Sequence, residues 1–130
     1  MRFSPPGPLA ELLGIRALEL GGGAAAFSLT VRDEHMNPYG VVHGGVVYSL
    51  VDTAMGAALH SRMEPGETCA TLEIKINYLV PLTAGEVRAE ARVVDRTKRV
   101  GVIEGRVTGA GDSLVAVATG TFYIQTARSE

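Results

Sequence analysis

The sequence predicts an α+β domain in which one antiparallel sheet curls around a single long helix. Residues 44–62 form the one long apolar helical stretch, and four stretches of period-two alternation follow it without another helical pattern. The turns between the last three stretches are short enough to demand antiparallel neighbours. Wrapping one antiparallel sheet around one helix is the economical way to bury the apolar faces of both.

Length and composition indicate a single domain that spans residues 1–130. The chain has 130 residues, of which 46% are hydrophobic, so it can bury a substantial core but has no room for a second one. Its formal net charge is −2, and the arginines and lysines are scattered along the chain. This distribution provides no basic field for nucleic acid, and we expect no nucleic-acid partner.

The cysteine and histidine content argues against a disulfide framework and against a metal site. Cys69 is the only cysteine, and the three histidines are too few and too unevenly spaced for a convincing zinc site. Residues 1–8 lack the apolar core of a signal peptide, and no apolar run is long enough to span a bilayer. We therefore expect a flexible N-terminal lead over residues 1–8, a cytoplasmic protein and no membrane partner.

The first third of the chain predicts a short helix and two strands. Residues 9–13 can form one or two helical turns that cover part of the core. Residues 15–20 and 24–31 alternate around three glycines, which is typical of either a hairpin or one long bulged strand. In the second of these stretches, one face carries Phe27, Leu29 and Val31.

The remaining elements are the long helix and four strands. Apolar residues cover more than one stripe of the helix predicted over residues 44–62, which indicates a helix wrapped by a sheet. The four strands are predicted over residues 71–80, 86–95, 100–108 and 114–125. Strict alternation places two sets of side chains on opposite faces of the first strand: Leu72, Ile74, Ile76 and Tyr78 on one, and Thr71, Glu73, Lys75 and Asn77 on the other.

The junction between a polar loop and the long helix is the candidate site. Gly44 and Gly45 leave the first N–H groups of the helix without intrahelical partners and without side chains to cover them, so the positive end of the helix dipole can hold an oxyanion. Asp52 then places a carboxylate on a mostly apolar helix, which is unfavourable unless the group is paired, solvated or functional. The two features together suggest acyl chemistry.

A spaced set of residues in this region resembles the hotdog-fold acyl-CoA thioesterases of the phenylacetic-acid-degradation (PaaI-like) type. The resemblance extends over residues 12–124 and implies a sheet around a long central helix, dimers formed through the sheets, and hydrolysis of acyl-CoA thioesters without a metal or cofactor. It rests on the following residues: Asn37, Gly40, His43, Gly44, Gly45, Asp52, Ile76, Asn77, Tyr78 and Pro81.

The resemblance also implies roles for individual residues. Asn37 would help to place the substrate or water, and Gly44 would donate its backbone N–H to the thioester oxygen. Asp52 would be the base or the nucleophile. Thr71, a less specific match, corresponds to a serine or threonine that many members carry seven residues before the tyrosine of the following strand.

Other residues near this set have structural as well as functional interpretations. We expect the imidazole of His43 to hydrogen-bond the backbone and so aim the Gly44 amide, rather than to act on the substrate. Lys98 and Arg99 are most simply a polar turn, with contact to coenzyme A phosphates as the alternative. The residues expected to contact the substrate, in addition to Gly45, are the helix side chains Val47, Tyr48, Leu50 and Met55.

The predicted mechanism is thioester hydrolysis with Asp52 either activating water or attacking the carbonyl directly. Gly44 and Asp52 are separated by roughly 12 Å along one helix, so we expect each site to take them from two chains of a homodimer, with a dimer of dimers as the expected tetramer. Two alternatives remain open: a non-catalytic acyl-CoA sensor, and a hotdog enoyl-CoA hydratase or dehydratase.

Overall fold

A computed structural model of the chain describes residues 6–126 and confirms the α+β fold class. The elements, in chain order, are α1 (Pro8–Leu13), β1 (Arg16–Gly21), β2 (Ala24–Thr30), α2 (Gly44–His60), β3 (Glu67–Tyr78), β4 (Glu86–Arg96), β5 (Val100–Thr108) and β6 (Leu114–Thr126). Pro8 already belongs to α1, and residues 1–5 of the expected flexible lead lie outside the described residues.

The six strands form one sheet in the order β1-β2-β4-β5-β6-β3, and every neighbouring pair is antiparallel. Residues 15–31, predicted as either a hairpin or one long bulged strand, form a hairpin of β1 and β2, with a register shift between Ala17 and Glu19 in β1. All three glycines of its turn have positive φ, a conformation that other residues adopt only with strain. In the sheet as a whole, the hairpin β1-β2 lies at one edge, β4-β5-β6 form a meander next to it, and β3 lies at the opposite edge.

Helix α2 packs against the inner face of this sheet. Apolar residues around most of its circumference are buried, among them Leu50, Val51 and Ala54 at 0% exposure. The helix approaches the sheet closely at Gly105 in β5, where an added Cβ would lie 2.6 Å from Val51. As the sequence predicted, α2 is a central helix with its core-forming side chains against the strands.

Strand β3 is longer than expected and does not alternate strictly. It begins at Glu67, four residues before the predicted start, because β6 continues far enough for Glu67 to pair with Thr126. A register shift between Thr71 and Glu73 leaves Leu72 exposed and turns Thr71 toward α2. The prediction that Leu72 shares a face with Ile74 was therefore wrong, and Thr71 does not share the face of Glu73, since the β-bulge shifts the alternation by one residue.

The loop between β2 and α2 is fixed by a buried histidine. The ring of His35 is 1% exposed; its Nδ1 accepts a hydrogen bond from the Arg32 N–H at 2.9 Å, and its Nε2 bonds the carbonyl oxygen of Leu13 at 2.8 Å. The carbonyl oxygen of His35 in turn accepts from the His43 N–H at 2.8 Å. His35 therefore connects the last residue of α1 to the residue that caps α2.

No helix between residues 6 and 126 combines the length and the hydropathy needed to cross a bilayer. The cytoplasmic location that we expect from the sequence stays a prediction.

Candidate active site

The N-terminus of α2 presents one open backbone N–H. His43 is the N-cap, and its Nδ1 accepts a hydrogen bond from the Gly45 N–H at 2.8 Å. The Gly45 N–H therefore already has a hydrogen-bond acceptor, which corrects the expectation that the N–H groups of both glycines are open. The Gly44 N–H makes no hydrogen bond to any residue between 6 and 126. Gly44 is thus the group that can receive an oxyanion at the positive end of the helix.

Tyr78 holds Gly44 from the side of the sheet. Its hydroxyl donates to the carbonyl oxygen of Gly44 at 2.7 Å, and an added Cβ at Gly44 would lie 3.3 Å from the tyrosine ring. Burial, with a smaller effect from Tyr48, raises the pKa of Tyr78, so its hydroxyl stays protonated and able to donate. Tyr78 belonged to the motif that carried the family resemblance but not to the predicted site, and its position at the end of β3 was the signal for this role.

Asn37 shapes the loop that leads to Gly44. Its side-chain oxygen accepts from the N–H groups of Tyr39 at 2.8 Å and Val41 at 3.3 Å, and its own N–H donates to the carbonyl of Val41. These bonds correspond to the turn interpretation of Asn37. They engage the amide oxygen, and the Nδ2 group has no partner among residues 6–126, so it can still donate to a ligand.

Asp52 is half-buried and hydrogen-bonded to β3. The hydroxyl of Thr71 donates to Asp52 Oδ1 at 2.8 Å, a contact made possible by the β3 bulge. Burial raises the pKa of Asp52, and the bond from Thr71 opposes this effect because it favours the charged form. The structure therefore brings together two of the predicted site residues in one cavity, with a carboxylate that binds protons more tightly than usual.

Gly44, at the start of α2, and Asp52, at its middle, line different cavities. The Gly44 cavity has a volume of about 300 Å³ and is lined by residues that include Val42, Val47 and Tyr78. The Asp52 cavity, about 270 Å³, contains Thr71 and has further walls from both strands and helix, namely Phe27, Thr53, Gly56, Ala57, Cys69 and Phe122. No described residue lines both cavities, so a single chain does not bring the amide and the carboxylate to one substrate.

Several walls of the Asp52 cavity were missed in the sequence. Gly56 follows Asp52 by one helical turn, and Cys69 precedes Thr71 by two residues on β3, so both spacings could have indicated them. Burial, and then the negative charge of Asp52, raises the pKa of the Cys69 thiol, which keeps it protonated. Phe122 pairs with Thr71 across the sheet, a contact that only the register of β6 on β3 reveals.

Other predicted substrate contacts lie elsewhere. Leu50 and Met55 were predicted to contact the substrate, but both are fully buried, and Met55 packs toward Gly105 of the sheet. Neither side chain lines the Gly44 cavity or the Asp52 cavity. Tyr48 is half-buried and lines neither the Gly44 cavity nor the Asp52 cavity.

Lys98 and Arg99 lie in the β4–β5 turn, at the end of the sheet opposite Tyr78. Next to this turn Val100 pairs with Tyr123, and Arg99 Nη1 lies 3.4 Å from the Tyr123 hydroxyl. Contact of this turn with coenzyme A stays a prediction.

Another surface cavity, about 430 Å³, lies on the outer face of the sheet between β1, β2, β4 and β5. It contains none of the predicted catalytic residues, so we do not assign the reaction to it. No group of three or more His, Cys, Asp or Glu side chains within residues 6–126 is placed to hold a metal ion.

The chain matches the thioesterase superfamily over residues 39–116, a segment that contains Gly44, Asp52, Thr71 and Tyr78. The conserved protein PA5202 of Pseudomonas aeruginosa has a similar structure, with a TM-score of 0.88 and 39% identity over 92% of this chain and 94% of that one. The acyl-coenzyme A thioesterase PaaI of Escherichia coli is 30% identical over 85% of this chain and 78% of its own length. The 1,4-dihydroxy-2-naphthoyl-CoA hydrolase of Listeria monocytogenes is 30% identical over 92% of this chain and 98% of its own length.

The fold and the matched segment define the class: this is a hotdog-fold protein, and the chain belongs to the thioesterase superfamily. Within that superfamily it is of the PaaI-like type, as the resemblance of its motif indicated.

Proposed function

We propose that the protein hydrolyses acyl-CoA thioesters with aromatic or medium-chain acyl groups to the free acid and coenzyme A, without a cofactor. The observation that most directly supports this reaction is the half-buried Asp52 carboxylate, which Thr71 orients in a cavity with largely apolar walls. The relatives named as acyl-CoA hydrolases support the same reaction. A buried carboxylate of raised pKa is suited to accept a proton during catalysis.

In this reaction the thioester oxygen binds at the Gly44 N–H. The amide is open, lies at the positive end of α2 and is held in place from the other side by the Tyr78 hydroxyl. As water adds to the carbonyl carbon, negative charge develops on the oxygen, and a preorganised N–H stabilises it. The C–S bond then breaks, and the coenzyme A sulfur leaves as a thiolate that takes up a proton.

Asp52 acts on the other side of the carbonyl by one of two routes. It either removes a proton from the attacking water or attacks the carbonyl carbon itself to form an anhydride that water hydrolyses. The Thr71 bond at 2.8 Å leaves the second carboxylate oxygen for either task. Burying the carboxylate favours both routes, since it raises the basicity of the ionised form.

We propose that two chains build each site. Asp52 is bonded to Thr71 and Gly44 to Tyr78, so the two halves are attached to the same edge strand, β3, seven residues apart. When two copies of β3 pair antiparallel about a two-fold axis midway between these positions, Thr71 of one chain comes opposite Tyr78 of the other. This register brings the carboxylate of one chain to the open amide of its partner.

The edge of β3 has the properties that such pairing needs. Within the described chain β3 has a strand neighbour on one side only, and it is 12 residues long. Large apolar side chains along and just beyond it are exposed: Leu72 at 59%, Tyr78 at 50% and Leu79 at 53%. A long, apolar and unprotected edge is a site of strand addition, and a second copy would cover it. Pairing of two such dimers would give the expected tetramer.

A thiol-release assay across a panel of acyl-CoA thioesters tests the function directly. We expect release of coenzyme A from benzoyl- or hexanoyl-CoA by the native protein, and loss of that activity in Asp52→Asn. An inactive panel combined with tight acyl-CoA binding would instead identify a sensor. Hydration of an enoyl-CoA without thiol release would identify a hydratase.

A further inference from the structure

Gly56 occupies a helix position that the fold does not require to be glycine. It lies inside α2, and an added Cβ would lie 3.6 Å from Cε2 of Phe122, an ordinary van der Waals distance. At Gly101 and Gly105 the same addition would approach side chains to 2.8 and 2.6 Å, so those glycines are needed for close packing. Glycine in a helix interior is less stable than alanine, and at Gly56 no packing constraint accounts for it.

The empty space next to Gly56 belongs to the Asp52 cavity. Gly56 and Asp52 are four residues apart and therefore lie on the same face of α2, and both line the cavity of about 270 Å³. A methyl group at Gly56 would fill space in this cavity beside the ring of Phe122, which also lines it. The absent side chain therefore leaves volume where the acyl part of a substrate at Asp52 would lie.

The walls of this cavity also indicate the chemistry of the acyl group. Apart from Asp52 and the thiol of Cys69, the described wall residues cannot ionise, and no cation is among them. An acyl group with a terminal carboxylate would meet the charge of Asp52 without a compensating partner. Aromatic rings at Phe27 and Phe122 suit a compact apolar group.

We propose that Gly56 is a specificity-determining residue, which keeps the Asp52 cavity deep enough for an uncharged, ring-sized acyl group. The inference rests on the proposed thioester hydrolysis and adds the residue that sets the upper size of the acyl group. Gly56 takes no part in the bond-making steps, so its replacement changes which acyl groups are accepted and leaves the reaction itself intact.

The test compares Gly56→Ala with the native protein on benzoyl-CoA and acetyl-CoA. One carbon of excess size in an apolar pocket changes kcat/KM by roughly 10- to 200-fold, so we expect at least a 10-fold loss for benzoyl-CoA. Acetyl-CoA should be hydrolysed within about 2-fold of the native rate, because a two-carbon acyl group does not reach the added methyl. The thermal midpoint should be unchanged or higher, which shows that the variant is folded.

A second variant separates volume from helix stiffness. Phe122→Leu in the Gly56→Ala background keeps the alanine but removes the ring that its methyl contacts, so benzoyl-CoA hydrolysis should be restored in part. Equal losses for both substrates, or no loss for benzoyl-CoA, would overturn the role of Gly56 while leaving the thioesterase function standing. A native protein inactive on the whole panel would overturn the proposed function, and the role of Gly56 with it.

Discussion

At the scale of single residues, the site depends on how burial and one hydrogen bond set the state of Asp52. The carboxylate lies half-buried among apolar walls, and Thr71 is the one side chain within residues 6–126 that donates to it. Burial raises its pKa more strongly than the Thr71 bond lowers it. The folded protein therefore disfavours the Asp52 anion relative to the carboxylate of a solvent-exposed aspartate, although the proposed reaction uses the anion.

The first prediction concerns the pH dependence of Asp52→Asn. Because the pKa is raised on folding, the ionised carboxylate destabilises the native state above that pKa, and the destabilisation disappears as the pH falls below it. Asp52→Asn should therefore be more stable than the native protein at neutral pH, while its turnover falls on the order of 100-fold or more. Thermal melts from pH 4 to 8 measure the stability difference, which should shrink toward acid pH. A variant that is less stable at neutral pH would contradict the sign.

The second prediction concerns Tyr78→Phe, which keeps the ring beside Gly44 and removes only the hydroxyl. Without the bond to the Gly44 carbonyl, the Gly44 amide is held less firmly, and the activation free energy should rise by about 1 kcal/mol, which lowers kcat roughly 5-fold. KM should change little, because the apolar contact is retained. Tyr39→Phe is the matched control, since the Tyr39 side chain is 91% exposed. Equal kcat values for Tyr78→Phe and the native protein would remove Tyr78 from the positioning of Gly44.

At the scale of elements, two departures from regular structure arrange the site. The bulge in β3 turns Thr71 toward α2, and the loop before α2 is held by the buried side chain of His35, the last residue of a 3-10 turn over Asp33–His35. Through its carbonyl, His35 bonds His43, which in turn caps Gly45. The open amide of Gly44 therefore depends on a buried side chain nine positions earlier in the chain.

The third prediction follows from these contacts. His35→Ala leaves the Arg32 N–H and the Leu13 carbonyl without their partners and opens a cavity, so it should lower the free energy of unfolding by about 2–4 kcal/mol. His35→Asn should lie between the native protein and His35→Ala, because its side-chain oxygen can still accept from the Arg32 N–H. Urea unfolding gives the order. Equal stabilities for the two variants would show that the hydrogen bond from the Arg32 N–H contributes nothing.

At the scale of the whole molecule, the two halves of the site face different cavities of one chain. Gly44 and Asp52 are separated by eight residues of α2, or roughly 12 Å along its axis, and a thioester requires both within about 3–3.5 Å. The Tyr78 and Thr71 contacts attach both halves to the edge strand β3. A second copy paired along β3 is the simplest assembly that completes the site.

The fourth prediction tests this assembly by complementation. Asn37→Ala and Asp52→Ala chains should each be inactive alone. When they are refolded together in equal amounts, half of the dimers are mixed, and each mixed dimer has one intact site of two, so about a quarter of native activity should return. Native mass spectrometry confirms the mixed dimers. Their presence without recovered activity would mean that each chain holds its own complete site.

The sequence by itself determined the elements and the chemical groups of the site. Continuous apolar coverage over residues 44–62 and period-two alternation afterwards are local patterns, so they predicted α2 and its sheet, with errors of a few residues at the ends. Gly44 at the helix start and the carboxylate of Asp52 within it could also be read from neighbouring residues alone, because a helix dipole and helix propensity are local properties.

Tertiary structure alone decided which of these groups meet. Thr71 reaches Asp52 because the pairing of β3 with β6 includes a bulge, and Met55 leaves the site because α2 turns it against Gly105. Both outcomes depend on contacts between residues far apart in the chain, which local periodicity does not contain. The space beside Gly56 is likewise set by packing, since it depends on where the distant side chain of Phe122 lies.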